Sequence, residues 1–456
     1  MVLANEHNIC LKNQYIFKGL KIFFMKSNSS FSYKEAVDFL YSLQKFGIKF
    51  GLSSTSNLLE KLGNPHIGRR YIHIGGTNGK GSVSAFIAEI LYKAGFKVGL
   101  YTSPHLVNFT ERFRINNEKI NHDSVTSLLD IILQTIDTNY LPTYFEATTA
   151  MAILYFANNN TDIDVIEVGM GGTLDATNII SPLVSVITNV GMDHTEYLGN
   201  TIEKITTDKA GIIKPNIPII TGIRNKKALS VIEKKASKIS APLTCIGKDV
   251  KYRTIGDNFN YYGKLLRLNN IRLGLSGSFQ SRNAAIAFAT IESLQKYGLQ
   301  IEENHLRSGA ESATWPGRFH MIKKAGYEIL LDGAHNPQAI NALRNSLQKK
   351  FPSRKIILIL GIMKDKDIRS MIKAIVPMAK YVYYTSPKYE RSAKPERLAT
   401  EAVNLCTPGE IVQCIEDAVH KAKKKSEKGD LIVITGSFFT VGEALHILEP
   451  EIYPID

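Results

Sequence analysis

The chain has 456 residues, of which 44% are hydrophobic and 21% charged, and this length and balance are typical of a globular protein with about three domains at most. The formal net charge of +14 would attract polyanions, but no dense run of Lys and Arg with interleaved aromatic residues indicates a nucleic-acid-binding surface. No apolar run is long enough to span a membrane, and four cysteines without CxxC spacing predict reduced thiols in a cytoplasmic protein.

The first part of the chain is predicted to be a peripheral extension, residues 1–31. Its apolar segment at 20–24 is too short for the core of a signal peptide, and Met25 offers a second ordinary start. From Ser32 onward the spacing of apolar residues at 36, 39, 40 and 43 predicts the first helix of the folded protein.

A glycine-rich loop follows an apolar run at 71–74 and precedes a segment with helical apolar spacing. Strand, glycine loop and helix in this order predict a phosphate-binding loop, with Lys80 at the β- and γ-phosphates and the Ser82 hydroxyl on Mg²⁺. The match to the general P-loop is imperfect, because Ile74 stands where a glycine is expected and Gly81 separates Lys80 from Ser82. A glycine-rich turn with a surface lysine is the alternative.

Polar segments follow three further predicted strands, at 97–102, 164–168 and 184–189. They are Ser103-Pro104-His105, the glycine-rich segment 169–178, and the segment that contains His194. Ligands of parallel α/β sheets bind outside the carboxyl ends of the strands, so each segment is a candidate site. A turn that merely ends the strand is the alternative for each.

Two charged residues lie within predicted helical segments. Glu146 is surrounded by apolar and small residues, and a buried carboxylate has to be paired, protonated or metal-bound. A surface position is the alternative. Lys209 lies in a helix predicted for 201–213, where composition alone favours a solvated lysine.

The segment 315–319, Trp-Pro-Gly-Arg-Phe, predicts a domain boundary, because Pro and Gly break regular structure and the periodicity restarts beyond it. Before it, short β-segments with turns at 256–258 and 269–270 lead to a long helix that contains Asn283. After it, strands alternate with helices. We predict an α/β protein with a larger N-terminal P-loop ATPase domain with a parallel-type sheet, 32–314, and a smaller C-terminal Rossmann-like α/β domain, 315–456.

Eight segments in this order resemble the folylpolyglutamate synthases, including their bifunctional dihydrofolate synthase forms, within the ATP-dependent muramyl-peptide ligases. They are GTNGKGS, SPHL with ER, FEATT, GMGGTLDATN, DHTEYLG, KAGIIK, WPGRF and DGAHNP, spread over the chain from residue 32. One position departs from the pattern, since Thr173 stands where many relatives carry Arg.

The resemblance implies an enzyme that uses ATP to phosphorylate a carboxylate of a folate or of dihydropteroate, after which the amine of L-glutamate attacks the acyl phosphate. It implies the catalytic residues Lys80, His194 and Lys209, and ATP binding by Gly76, Thr77, Asn78, Gly79, Lys80, Gly81, Ser82, Asn283, Arg318, Asp332 and His335. It implies two Mg²⁺ ions, held by Ser82, Glu146, His194 and a carbamylated Lys209, and a pterin site at Ser103, Pro104 and His105.

The expected partners are therefore small molecules, namely ATP, L-glutamate and a folate or dihydropteroate, with no nucleic acid, no membrane and a monomeric chain. Three alternatives stay open from the residues. They are another amide-bond ligase of the muramyl-peptide family, a P-loop NTPase stimulated by nucleic acid, and a binding module without catalysis. The choice between dihydropteroate and folate is also open.

Overall fold

A computed structural model describes residues 31–47, 51–136, 141–324 and 326–455. The predicted extension 1–31 lies outside these ranges except for its last residue. The α-helices in the described ranges are α1 Tyr33–Ser42, α2 Ser53–Lys61, α3 Lys80–Lys93, α4 His122–Thr135, α5 Tyr144–Asn158, α6 Thr195–Leu198, α7 Ile202–Lys209, α8 Lys226–Lys238, α9 Gln280–Leu294, α10 Glu303–Ser312, α11 Pro337–Lys350, α12 Ile368–Ile375, α13 Pro395–Ala402, α14 Ile415–Lys425 and α15 Phe438–Leu448.

The strands of the same ranges form three sheets. They are β1 Tyr71–Gly75, β2 Val98–Tyr101, β3 Phe113–Ile115, β4 Glu118–Lys119, β5 Ile163–Glu167, β6 Val184–Ile187, β7 Ile219–Thr221, β8 Leu243–Cys245, β9 Lys251–Ile255, β10 Asn258–Tyr262, β11 Arg267–Ile271, β12 His320–Lys324, β13 Tyr327–Asp332, β14 Ile356–Leu360, β15 Ala379–Tyr384, β16 Gly409–Ile411 and β17 Leu431–Thr435.

The first sheet has eight strands within the described residues, in the order β4-β3-β2-β5-β1-β6-β7-β8. The six neighbouring strands β2, β5, β1, β6, β7 and β8 run parallel to one another. The antiparallel strands β3 and β4 form one edge of the sheet. The central strands β1, β5 and β6 are buried throughout, because helices cover both faces. Helices α3, α9 and α10 pack on one face, and α1, α4 and α5 pack on the other. The predicted parallel-type sheet is confirmed.

Strands β9, β10 and β11 form a small antiparallel sheet that packs against α9. The turn predicted at 256–258 is confirmed, since β9 and β10 are joined there with Gly256 at a φ of +59°. The turn predicted at 269–270 is wrong. Both residues lie inside β11, where Asn270 has a φ of +56° and the pairing with β10 shifts register. Two adjacent asparagines thus mark an irregular strand pairing here and not a chain reversal.

The remaining strands form a six-stranded sheet in the order β12-β13-β17-β14-β15-β16. All pairs except β12 with β13 are parallel, and α11 to α13 pack on one face while α14 and α15 pack on the other. This is the smaller Rossmann-like α/β domain that the strand–helix alternation predicts.

The strand order places the site. Strand β1 lies between β5 and β6, so the three segments that leave their carboxyl ends lie side by side. The carboxyl end of β13 faces them from the second sheet, because Asp332, Ala334 and His335 share one cavity with the glycine loop. None of the described helices has the length and hydropathy required to cross a membrane.

Candidate active site

The glycine loop connects β1 to α3 and is held in shape by the segment that follows β6. Gly76 has a φ of +133° and Gly79 a φ of +85°, conformations that favour glycine. The Thr188 hydroxyl donates to the Asn78 carbonyl at 2.7 Å, and the Asn78 amide donates to Asn189 Oδ1 at 2.9 Å. Helix α3 begins at Lys80, so its free amides and positive dipole end face the loop.

A cavity of about 260 Å³ lies between this loop and the second α/β domain. Fifteen of the predicted site residues line it. They are Gly76, Thr77, Asn78, Gly79, Lys80, Gly81, Ser82, Ser103, Pro104, His194, Lys209, Asn283, Arg318, Asp332 and His335. The structure therefore brings together side chains from both domains that are up to 259 positions apart in sequence.

Two predicted site residues, Glu146 and His105, do not line this cavity. Glu146 instead lines a neighbouring cavity of about 310 Å³. Its Oε2 accepts the Thr143 amide at 2.7 Å, because the two residues form the capping box of α5, and its Oε1 has no hydrogen-bond partner among the described residues. Glu146 thus lines a different cavity from Ser82, His194 and Lys209, with which the resemblance groups it as a metal ligand.

His105 is held behind the cavity wall. The Arg112 Nε donates to its Nδ1 at 2.9 Å, and its Nε2 lies 3.2 Å from the Tyr41 hydroxyl. Burial, and secondarily the Arg112 charge, lower the pKa of His105 well below its usual value. His105 therefore supports the wall, whereas Ser103 and Pro104 line both cavities and connect them.

Glu167, the last residue of β5, lies in the cavity and was not among the predicted site residues. Its Oε1 is 3.7 Å from Lys80 Nζ, and its Oε2 accepts the Ser103 amide at 3.4 Å. Burial raises the pKa of Glu167 above its usual value, and the Lys80 charge opposes that rise. An acidic residue at the carboxyl end of a strand next to β1 is the signal that could have identified it.

Lys209 is buried at the end of α7 with 4% exposure, so the alternative of a solvated helix lysine is wrong. Its Nζ donates to the Gly76 carbonyl at 3.3 Å. Burial, followed by repulsion from Lys80, lowers the pKa of Lys209 to about 8. Lys209 is therefore more often neutral and nucleophilic near neutral pH than an exposed lysine, although the protonated form still predominates at pH 7.

His194 begins α6 with a φ of +50°, a left-handed conformation that is uncommon outside glycine. Burial lowers its pKa to about 4, although the neighbouring Asp193 acts in the opposite direction. The imidazole is therefore neutral at pH 7, the state in which it can bind a metal ion.

The second domain contributes a cation, Arg318, just before β12, and a carboxylate, Asp332, at the end of β13. Asp332 accepts the Phe319 amide at 2.8 Å and the Ala334 amide at 3.0 Å, and burial raises its pKa to about 6 against the effect of Arg318. The Arg318 guanidinium lies 4.2 Å from the ring centre of Phe438. Both side chains are thus fixed before a ligand arrives.

Asp193 joins the domains and was also missed from sequence. Its Oδ1 is 2.8 Å from Lys366 Nζ, and its Oδ2 accepts Asn336 Nδ2 at 3.0 Å. Asn336 Nδ2 also donates to Asn78 Oδ1 at 2.9 Å. Burial alone would raise the pKa of Asp193, but the nearby His194, Lys366 and His335 lower it well below its usual range. His335 Nε2 lies 3.7 Å from Asp193 Oδ2.

A phosphate-binding loop with Lys80, closed over by Arg318 and Asp332 from a second α/β domain, defines a two-domain enzyme that uses a nucleotide. The comparisons with known proteins agree. Residues 74–291 match the Mur ligase middle domain, and residues 317–438 match the Mur ligase glutamate ligase domain.

Similar proteins and solved structures indicate which Mur ligases this chain resembles. The chain is 34% identical over 429 residues to a dihydrofolate synthase/folylpolyglutamate synthase of Bacillus subtilis, covering 90% of this chain and 98% of that protein. The crystal structure of a folylpolyglutamate synthase from Thermotoga maritima shares 36% identity and a TM-score of 0.80, covering 92% and 97% of the two chains. An Escherichia coli structure in complex with DHPP and ADP shares 29% identity and a TM-score of 0.85, covering 93% and 99%.

Two archaeal relatives named probable bifunctional folylpolyglutamate synthase/dihydropteroate synthase are longer, and the chain spans 51% and 50% of them. The chain belongs to the folylpolyglutamate and dihydrofolate synthases of the Mur ligase family, which are ATP-dependent ligases.

The glycine loop leads to the first prediction. Gly76→Ala should weaken ADP binding at least ~10-fold by isothermal titration calorimetry, because the new Cβ would overlap the Thr188 hydroxyl at a φ that alanine disfavours. Gly68→Ala is the matched control. Gly68 also has a positive φ, of +75°, but a Cβ there has no described atom within 4 Å. An unchanged ADP affinity in Gly76→Ala would contradict this role of the loop.

Proposed function

We propose that this enzyme uses ATP to add L-glutamate to reduced folates, and to dihydropteroate as well. The observation that carries the proposal is the connection of two cavities. The glycine-loop cavity and the cavity beside α5 share Ser103, Pro104, Gly169 and Met170. A pteridine in the second cavity would therefore direct its carboxylate tail towards a phosphate in the first.

The second cavity suits a flat aromatic ligand. Tyr144 and Phe145 line it from the first turn of α5, and Arg112 lines it with its guanidinium 5.3 Å from the ring centre of Tyr144. Aromatic rings and a guanidinium plane favour stacking with a pteridine. The name of the Bacillus subtilis relative includes both synthase activities, which supports both substrates.

ATP would bind with its triphosphate along residues 76–82 and Lys80 at the β- and γ-phosphates. Asn283, Arg318, Asp332 and His335 line the rest of the cavity and would contact the nucleotide. The Ser82 hydroxyl accepts Gln280 Nε2 at 3.2 Å and is 1% exposed, so its predicted contact with Mg²⁺ requires a rearrangement. Ser103, whose amide already contacts Glu167, is the better-placed hydroxyl.

The residues of the cavity fit Mg²⁺ when a phosphate ligand is present. Mg²⁺ is commonly bound by one or two carboxylates together with substrate phosphates, and Glu167 is a buried carboxylate with Lys80 Nζ at 3.7 Å. We propose that Ser103 and Glu167 hold one ion, and that Glu167, His194 and carbamylated Lys209 hold a second. Such ions neutralise phosphate charge. In this proposal Glu167 takes the role that the resemblance assigns to Glu146.

The lowered pKa of Lys209 supports carbamylation, because it increases the share of neutral amine. The neutral Nζ attacks the carbon of CO₂, an N–C bond forms, and a proton leaves to solvent. The product carries oxygen ligands and a negative charge in place of a buried cation. It also removes the repulsion between Lys209 and Lys80.

The reaction must bring two anions together, a carboxylate and a triphosphate. Lys80 and the loop amides offset that repulsion. A carboxylate oxygen of the folate attacks the γ-phosphorus, the bond to the bridging oxygen breaks, and ADP leaves. The neutral amine of glutamate then attacks the acyl carbon, the bond to the phosphate oxygen breaks, and an amide, phosphate and a proton result. The second domain would shield the acyl phosphate from water.

We retain the division into a first domain at 32–314 and a second at 315–456 as part of this proposal. The two family matches, which end at 291 and begin at 317, support a boundary between them. We further propose that the enzyme acts as a cytoplasmic monomer on small molecules, without nucleic acid or membrane partners.

Phosphate release from ATP in the presence of L-glutamate tests the function. Dihydropteroate and tetrahydrofolate are compared as acceptors, and products are identified by mass. We expect glutamate-dependent turnover with both acceptors. Turnover with tetrahydrofolate alone would remove dihydrofolate synthase activity from the proposal. Turnover only with a muramyl peptide, or only on adding RNA, would replace it by one of the alternatives.

The proposal that Glu167 and not Glu146 binds the metal ion yields a direct prediction. Glu167→Gln should lower kcat at least ~100-fold while ADP still binds, because the change removes charge at the phosphates and preserves shape. Glu146→Gln, the matched control, should remain within ~3-fold of wild type, since an amide oxygen can still accept the Thr143 amide. The opposite ranking of the two variants would restore Glu146 as the metal ligand.

The proposed carbamate on Lys209 leads to another prediction. Lys209→Ala should lose at least ~100-fold in kcat and recover part of it with added acetate or propionate, which can occupy the place of the carbamate. In wild-type enzyme stripped of CO₂, the rate at which a fixed concentration of dissolved CO₂ restores activity should rise with pH through about 8, because the neutral amine increases over that range. A Lys209→Ala enzyme with full activity would exclude the carbamate.

A further inference from the structure

The turn that contains Asp193 and His194 is held from the second domain. Lys366 lies in the loop before α12, and its Nζ reaches Asp193 Oδ1 at 2.8 Å. The same oxygen accepts the backbone amide of His194 at 3.0 Å. One carboxylate oxygen therefore connects a lysine of the second domain to the backbone of a proposed metal ligand in the first.

His194 needs such support because of its backbone. A φ of +50° costs free energy in a residue with a Cβ, and it persists where surrounding contacts fix it. Tyr197 and Leu198 donate their amides to the His194 carbonyl at 3.0 and 2.9 Å, so the whole short turn depends on this residue. Tyr197 is 51% exposed, whereas Leu198 is partly buried against a hydrophobic cluster, so packing holds Leu198 but not Tyr197.

The other oxygen of Asp193 receives a second contact from the same domain. Asn336 bridges Asp193 Oδ2 and Asn78 Oδ1, so it touches the glycine loop as well. The ion pair with Lys366 is nearly buried, with side-chain exposures of 10% for Lys366 and 7% for Asp193. Little solvent screening is expected at such a position. These contacts exist only while the two domains lie together.

We propose that Lys366 is a positioning residue, which fixes the Asp193–His194 turn from the second domain so that His194 faces the phosphate cavity when the domains are closed. Docking of the second domain then has a defined effect on catalysis besides shielding the acyl phosphate. The catalytic part of this inference rests on the proposed function, whereas the structural part does not.

Lys366→Met tests the proposal, because it removes the charge and keeps most of the side-chain volume. Lys364→Met, in the same loop, is the matched control, since Lys364 is exposed and its Nζ contact is the Glu390 carbonyl at 3.5 Å. Hydrogen exchange of peptides that cover 191–199 is measured in the full-length chain without folate. We expect exchange of the Tyr197 and Leu198 amides to rise about 10-fold in Lys366→Met and to remain unchanged in the control.

Steady-state kinetics provides the second readout. Lys366→Met should lower kcat at least ~10-fold with the KM values for ATP, folate and glutamate within ~3-fold, because the ligands still bind and only the catalytic geometry is lost. Lys366→Arg should recover much of kcat, since a guanidinium can reach the same carboxylate.

Two results would overturn the proposal. Unchanged hydrogen exchange at 191–199 in Lys366→Met would show that Lys366 does not fix the turn. A higher KM for glutamate at constant kcat would make Lys366 a ligand-binding residue. If wild-type enzyme adds glutamate to neither acceptor but the exchange effect is present, the proposed function fails and the structural link between Lys366 and the turn stands.

Discussion

Charged side chains around the glycine loop are buried close together, and the ionisation of each depends on the charges of the others. Lys80, Lys209 and Glu167 line one cavity at the ends of α3, α7 and β5, and Lys80 Nζ lies 3.7 Å from Glu167 Oε1. Burial raises the pKa of Glu167 and lowers that of Lys209. Buried charges of this kind are electrostatically unfavourable, and a bound polyphosphate, a bound cation or a carbamate on the lysine can neutralise them. Buried groups with shifted pKa values are typical of functional sites, and here they surround the glycine loop.

The topology explains why such different residues meet. The central position of β1, between β5 and β6, collects three loop segments at one edge of the sheet. The carboxyl end of β13 then supplies the opposite wall from the second domain. Ser103 and Pro104, after β2, line both the glycine-loop cavity and the cavity beside α5 and connect them. An enzyme that joins a phosphorylated carboxylate to an amine needs such neighbouring sites, one for each reactant.

Sequence predicted most of the fold, because buried strands and the glycine loop have strong local patterns. The site was predicted less evenly. Motif order pointed to residues that line one cavity, and it also assigned a metal role to Glu146, whose carboxylate caps its own helix. It passed over Glu167, which reads as one more residue of a buried strand. Lys366 lies in a polar loop without a motif, and only the packing of the two domains makes its contact with Asp193 visible.

The central claim is that this cleft activates a carboxylate by transferring the γ-phosphate of ATP to it. Isotope transfer measures that step directly. A folate acceptor labelled with ¹⁸O in its reacting carboxyl group is turned over with ATP and L-glutamate, and the released phosphate is analysed by mass spectrometry. An acyl phosphate requires each phosphate released to carry one oxygen from the carboxyl group. Unlabelled phosphate, with the amide still formed, would contradict the account.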